Sequence, residues 1–182
     1  MAIDIIQEMK NYLGNAPVPK IDPNTQEPVK ETKNFLNDVE GAAIPVVLLG
    51  FYKNTRNEND ANNVMQQDDA TTLKTLFKEH TEQVIKTVSN HSNADEGEAK
   101  AAMEKTVAAV KKVVRNNVKD LNGFNVMAFF SNQRTNILKH LPAELHAGEL
   151  LNDPAMDDRT NKMEGPMSGM MHGIEKIFSS NK

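Results

Sequence analysis

Histidine and glutamate side chains near the C-terminal third of the sequence could in principle hold a metal ion. His140, Glu144 and His146 lie within the run H-L-P-A-E-L-H. Zinc sites on a helix use histidines four residues apart with a third ligand elsewhere, as in H-E-x-x-H. Here the two histidines are six residues apart and Pro142 interrupts the helix. We therefore expect no metal or other cofactor here, and we expect His140 to interact with the last carbonyls of its helix.

Two further histidines fall on one apolar stripe. His80 and His91 are eleven residues apart, which is about three helical turns, so they cannot share a metal ion directly. We expect each of them to be a partly buried, hydrogen-bonded side chain.

Methionines near the C-terminus are the most unusual local feature. Met163, Met167, Met170 and Met171 precede His172, and thioethers beside a histidine can bind Cu(I). Their spacing is also that of an apolar helical stripe, and packing explains it at least as well. Three glycines on the opposite side weaken this helix, so it needs a surface to hold it. We predict a contact surface formed by Met163, Met167, Met170, Met171, Ile174, Ile177 and Phe178.

A basic stripe runs along the predicted long helix. Lys105, Lys112, Arg115 and Lys119 share one face, with Lys111 beside them. Such a stripe could contact phosphates in a salt-dependent manner. The net charge of -4 and the lack of interleaved aromatic residues oppose that interpretation. We expect a solvated face, and nucleic-acid binding is disfavoured.

Catalytic motifs are missing from the sequence. There is no cysteine, which excludes disulfides, thiolate metal sites and cysteine nucleophiles. There is no G-x-S-x-G elbow for a serine nucleophile and no glycine-rich phosphate loop. The sequence therefore predicts a protein that is not an enzyme.

The composition predicts an all-α fold, a compact multi-helix bundle. Hydrophobic residues make up 38% of the 182 residues and aromatic residues 5%, so an aliphatic core built from helices is expected. Pro45 should kink or divide the apolar helix near Gly41. Val46, Val47, Leu49 and Val110 are predicted core residues. The predicted helices are 1–13, 31–52, 70–91, 96–121, 126–131, 132–141 and an amphipathic helix at 166–180, with a proline-rich linker at 14–29. Residues 54–69 are predicted to be a loop with at most one turn of helix around Val64 and Met65.

Three stretches of this sequence resemble a known family. They are A-I-P-V-V-L-L-G at 43–50, V-I-K-T-V-S-N-H-S-N-A-D-E-G-E-A-K-A-A-M-E-K-T-V-A-A-V from Val84, and F-F-S-N-Q-R-T-N-I-L-K-H-L-P-A-E-L at 129–145. Their order resembles the YidB-like bacterial proteins, a helical family of unknown function. The resemblance covers roughly residues 35–145. It implies a helical fold and no active-site residues.

Three segments organise the chain in this interpretation: an N-terminal helix and linker (1–30), a helical core (31–145), and a connection with a C-terminal helix (146–182). The longest apolar run, 42–52, has eleven residues, whereas a membrane span needs about 20. No signal peptide is recognisable, so we expect a cytoplasmic protein without a membrane span.

The leading functional hypothesis is a non-enzymatic protein that works through an unknown protein partner or self-association. The alternative is binding of an apolar small molecule or lipid between helices, and a weaker third hypothesis is binding of nucleic acid or another polyanion.

Overall fold

The computed structural model describes residues 3–14, 38–138 and 140 of the chain. Within these residues the secondary structure is helical and contains no strand, which confirms the predicted all-α class. The predicted proline-rich linker and C-terminal helix lie outside the described residues. In chain order the helices are α1 (Ile5–Tyr12), α2 (Val39–Asn54), α3 (Glu58–Gln66), α4 (Asp69–Phe77), a 3-10 helix (Lys78–His80), α5 (Thr81–Ser92), α6 (Glu96–Asn117) and α7 (Gly123–Leu138).

Acidic and amide side chains fix where most of these helices begin. Each such residue has an extended backbone, and its side-chain oxygen accepts a hydrogen bond from a backbone N–H of the first turn, which would otherwise lack an acceptor within the helix. At α6 the bond is reciprocal, because Asp95 accepts from the Glu98 N–H while the Glu98 carboxylate accepts from the Asp95 N–H. The capping residues are Asp4, Asp38, Asn57, Asp68 and Asp95.

Helix α2 is the apolar centre of the bundle. Every residue from 41 to 52 is buried, including Pro45, and the helix packs along the length of α6. Of the two alternatives predicted for 31–52, a division into two helices near Gly41 is wrong, since one helix runs from Val39 to Asn54 with Pro45 inside it. Residues 31–37 of the predicted segment lie outside the described residues. The proline removes one backbone hydrogen bond, and burial of apolar side chains on all sides of α2 outweighs that loss. The predicted core residues Val46, Val47 and Leu49 are confirmed.

The predicted loop at 54–69 is also wrong, because α3 occupies most of it. Asn57 caps the helix by accepting from the Asp60 N–H, at 2.9 Å. Ala61, Val64 and Met65 are then placed on one buried face. Three small or medium apolar residues at helical spacing are enough to anchor a polar nine-residue helix when a cap fixes its start.

Two predicted helix boundaries differ from the observed ones. The predicted helix 70–91 is divided at Lys78, whose φ of 51° ends α4 and starts the 3-10 helix. In the opposite sense, 126–131 and 132–141 were predicted as two helices, but residues 123–138 form one helix, α7.

Glycines allow two close helix contacts. At Gly50 a Cβ atom would lie 3.1 Å from the Cζ atom of Phe77 and 3.2 Å from Cβ of Leu76, so α4 packs directly onto the backbone of α2. At Gly123 a Cβ atom would overlap the carbonyl oxygen of Glu58. The start of α7 therefore rests on the start of α3, and only glycine fits there.

Candidate functional site

The predicted contact surface at Met163, Met167, Met170, Met171, Ile174, Ile177 and Phe178 lies outside the described residues, and its role stays a prediction. Within the described part, the turn between α6 and α7 exposes two large apolar side chains. Phe124 is 57% exposed and Leu121 is 42% exposed. We call Leu121 and Phe124 the turn patch.

Hydrogen bonds hold the turn patch in place. The Asn122 N–H donates to the Asp120 carbonyl oxygen at 2.8 Å, and the Asn125 side chain donates to the same oxygen at 2.9 Å. The Asn122 side chain accepts from the Asn125 N–H at 2.9 Å. The two apolar side chains are therefore presented on a hydrogen-bonded turn.

The predicted helix 96–121 places Leu121 on its last turn, and this is wrong. The helix ends at Asn117, and Val118 has an extended backbone, with φ of -110° and ψ of 109°. The change of direction turns Leu121 to solvent. Within α6 the predicted core residue Val110 is buried, together with Met103 and Val107.

The basic residues of α6 have partners within the chain. Lys105 forms an ion pair with Glu40, at 2.5 Å between Nζ and Oε1. The ammonium group of Lys112 lies 4.7 Å from the centre of the Tyr12 ring, within the range of a cation–π interaction. Arg115 donates to the Met65 carbonyl oxygen at 3.3 Å. Lys105, Lys112 and Arg115 are exposed, as predicted for a solvated face. Lys119 is also exposed, but it lies beyond the end of α6 at Asn117, so its predicted place on the same helix face is wrong.

Lys111 departs from this prediction because its side chain is only 1% exposed. The ammonium group donates to the Gln67 carbonyl oxygen at 2.5 Å and lies 3.4 Å from Oδ1 of Asp69. Burial lowers the pKa of Lys111, and the nearby charge of Asp69 opposes that shift. Lys111 and Arg115 both donate hydrogen bonds to carbonyl oxygens at the C-terminal end of α3. These bonds give both cations a structural role within the protein.

The three histidines in the described part of the chain do not assemble into a site. His80 belongs to the 3-10 helix and His91 to α5, so the prediction that one helix carries both is wrong. Nε2 of His80 lies 3.4 Å from Oε1 of Glu79. Nε2 of His91 is buried without a hydrogen-bond partner, and burial lowers the pKa of this side chain.

The remaining metal candidate, His140, is buried, and its backbone N–H donates to the Ile137 carbonyl oxygen at 3.1 Å. Glu144 and His146 lie outside the described residues. Among the residues that the structure places, no three His, Cys, Asp or Glu side chains converge in a way that could hold a metal ion.

Described residues of α5 and α6 line two open grooves. The larger, of about 910 Å³, is lined mainly by charged side chains of both signs, with Ile85 as its large apolar contributor. The smaller, of about 450 Å³, contains the Lys105–Glu40 ion pair and the small residues Ala94, Ala101 and Ala102. Neither lining resembles the largely apolar interior typical of sites that enclose a lipid or drug-sized ligand.

A polar clamp that sequence reasoning missed joins α1 to α7. The Gln133 side chain is buried; its Oε1 accepts from the Ile5 N–H and its Nε2 donates to the Ile3 carbonyl oxygen, both at 3.0 Å. Asn136 donates to the same Oε1 at 3.0 Å. The Gln133 amide therefore satisfies one backbone N–H and one backbone carbonyl oxygen at the start of α1. A glutamine between buried Phe130 and Ile137 on α7 was the available signal.

Comparisons with known proteins do not add an identity. No family model matches the sequence, and neither the curated proteins nor the solved structures contain a significant match. In the part of the chain that the structure describes, no helix combines the length and the apolar character needed to cross a bilayer.

Proposed function

We propose that this is a non-enzymatic helical protein that acts through protein–protein contacts, and that self-association is one of those contacts. The observation that carries the proposal is the turn patch. Phe124 is the most exposed large apolar side chain of the described residues, and Leu121, three residues earlier in the turn before α7, is also exposed. Large apolar side chains gain most when a protein surface covers them, and aromatic residues are enriched at such interfaces.

The polar groups of the described core support a structural role for it. Two buried polar side chains form hydrogen bonds that join helices: Lys111 reaches the end of α3, and Gln133 reaches the start of α1. Because these hydrogen bonds occupy the Lys111 and Gln133 side chains, neither is placed to act as a nucleophile or a general base. The family resemblance to YidB-like proteins and a cytoplasmic location belong to the same proposal.

The competing functions have weaker support. An apolar small molecule or lipid would need an apolar cavity, and the two grooves bordering α5 and α6 have largely charged or small-residue linings. A polyanion would compete with the intramolecular partners of Lys105, Lys111 and Arg115. The exposed apolar patch favours contact with protein over both.

The test replaces the patch aromatic with a charge. We expect the full chain to associate with increasing concentration, and we expect Phe124→Asp to weaken that association at least about tenfold, because a carboxylate would have to be desolvated in the contact. Ser131→Asp, at an exposed position on the same helix, is the matched control. Light scattering over a concentration series measures the mass, and circular dichroism checks that both variants fold.

The proposal is contradicted by one clear result. If wild-type protein and Phe124→Asp have the same monomeric mass at every concentration, the turn patch is not a self-association surface.

A further inference from the structure

The turn before α7 carries a dipeptide with chemistry of its own. Asn122-Gly123 is the only Asn-Gly pair among the 182 residues. A backbone nitrogen that follows asparagine can attack the side-chain amide, and glycine leaves that nitrogen unshielded because it has no side chain. Asn122 is exposed, lies outside the helices and falls between Leu121 and Phe124 in the chain. The attack would therefore take place within the surface proposed for self-association.

A hydrogen bond at the start of α7 activates the Asn122 amide for this attack. Its Oδ1 atom accepts from the Asn125 N–H at 2.9 Å, and negative charge develops on the same oxygen when a nucleophile adds to Cγ. A backbone N–H that already points at this oxygen stabilises the charge, and the positive end of the helix dipole adds to the effect. The Gly123 N–H belongs to the first turn, whose donors have no acceptor within the helix. The attacking nitrogen is therefore not held by a helix hydrogen bond.

A second asparagine provides a comparison within the same chain. Asn57 is also exposed and also precedes a helix, and its side chain accepts from the Asp60 N–H at 2.9 Å. It is followed by Glu58, whose side chain crowds the backbone nitrogen. Its amide nitrogen also donates to the Asp60 carboxylate at 2.6 Å, and this bond must break before ammonia can leave. Both differences protect Asn57, so it serves as the unreactive reference for Asn122.

We propose that Asn122 is a spontaneous deamidation site and that its products disable the turn patch. The inference rests on the proposed self-association and names a regulation of the same surface. In the first step the Gly123 nitrogen loses its proton and bonds to Cγ of Asn122, while the Cγ–Nδ2 bond breaks and ammonia leaves. Water then opens the resulting succinimide ring. Breaking the bond from nitrogen to Cγ gives aspartate, and breaking the bond from nitrogen to the main-chain carbonyl carbon gives isoaspartate.

Both products alter the turn patch. Aspartate keeps the cap of α7 but adds a negative charge between Leu121 and Phe124, and this charge must be desolvated in a contact. Isoaspartate makes the main chain one atom longer immediately before Gly123. The packing leaves no room for a shift of Gly123 toward α3, since even a Cβ atom there would overlap the Glu58 carbonyl oxygen. Isoaspartate therefore separates the start of α7 from the start of α3 and displaces Phe124.

The chemical test incubates the folded full chain at mildly alkaline pH and follows it by peptide mass spectrometry. We expect the mass gain of deamidation, with isoaspartate, in the peptide that contains Asn122, at a rate at least about tenfold above that at Asn57. The rate should rise with pH, since the attacking nitrogen must lose its proton. Asn122→Ser keeps a capping side chain without the amide and should stay unmodified. No gain at Asn122, or an equal gain at Asn57, would overturn the deamidation site.

An association measurement tests the effect of the modification. Asn122→Asp has the side chain of one product, and Asn122→Ser is its uncharged control. Light scattering should show self-association at least about threefold weaker for Asn122→Asp than for Asn122→Ser, and incubated wild type should weaken likewise. Circular dichroism checks that the variants fold.

Two outcomes separate this proposal from the one on which it rests. If Asn122→Ser and Asn122→Asp associate equally, the modification does not disable the turn patch. If Asn122→Ser and fresh wild type are monomeric at every concentration while Asn122 deamidates, the turn-patch proposal fails together with its regulation, and the deamidation site stands.

Discussion

Helices α2 and α6 lie against each other in the centre of the bundle, yet their residues are buried by opposite means. Along α2 the buried residues, 41–52, are apolar or small and occupy every side of the helix. Along α6 an apolar stripe faces inward and lysines face outward, with one lysine turned into the protein. The first helix needs only apolar neighbours, whereas the second also needs polar ones.

Two of the lysines of α6 that lie near carboxylates show the difference directly. Lys105 is 55% exposed and meets Glu40 at the surface. Lys111 is 1% exposed and meets the Gln67 carbonyl oxygen and Asp69. A surface ion pair contributes little because water screens it, whereas a buried cation requires partners that replace its hydration. Position in the fold, rather than residue type, therefore decides how much each lysine contributes to the stability of the protein.

The largest expected effect is on α2, where truncation would test the purely apolar mode of burial. Leu49→Ala should lower the free energy of unfolding by about 2–5 kcal/mol, since it removes buried methyl groups and leaves a cavity. Leu121→Ala makes the same change at a side chain that is 42% exposed, so its effect should be much smaller. Urea unfolding of both variants measures the difference. Equal effects would mean that the two leucines do not differ in burial.

A smaller effect is expected at the buried lysine of α6. Lys111→Ala should lower the free energy of unfolding by about 1–3 kcal/mol, because the Gln67 carbonyl oxygen loses its donor and the buried side chain leaves a gap. Lys105→Ala is the matched control, expected to change stability by less than about 1 kcal/mol. Thermal and urea unfolding of the pair measure the contrast between the two lysines.

The opposite order would break the comparison. If Lys105→Ala destabilised the protein more than Lys111→Ala, the surface pair with Glu40 would be the stronger contact, and the burial of Lys111 would carry no energetic weight.

The all-α class and the central position of α2 could be predicted because they depend on composition and local spacing. An apolar run such as Val46 to Leu49 must be covered whatever surrounds it. Helix boundaries were harder to predict, since the start of α3 depends on a cap at Asn57 inside a polar stretch. The break at Lys78 requires a positive φ that a lysine rarely adopts, so the residue at this position gave no indication of a helix end.

The polar contacts of the described site could not be predicted for a different reason. Lys111 is paired with residues 44 positions away in the chain, and Gln133 with residues about 130 positions away. Neither contact has a local signature, because each depends on where another helix ends. Exposure of Leu121 likewise follows from the end of α6 at Asn117, four residues before the apolar pattern runs out.

The smallest expected effect is a pH dependence that separates the charge of Lys111 from its packing. Burial lowers the pKa of Lys111 below its ordinary value of 10.5 in the folded protein. Between that lowered value and 10.5 the unfolded chain binds more protons than the folded chain, so the contribution of this lysine to stability rises as the pH rises.

Lys111→Met keeps most of the side-chain volume and removes the titration, so it serves as the reference. The stability of the wild type relative to Lys111→Met should increase from neutral pH toward about pH 10.5 and then level off, since both states release the proton above that value. Urea unfolding of the two proteins at matched pH values gives the difference, in which titrations common to both largely cancel. A difference that stays flat with pH would show that the ammonium group of Lys111 is hydrated in the folded protein, and the contrast between α2 and α6 would then concern side-chain packing alone. A difference that falls with pH would show that Asp69 stabilises the charge more than burial disfavours it, which contradicts the lowered pKa.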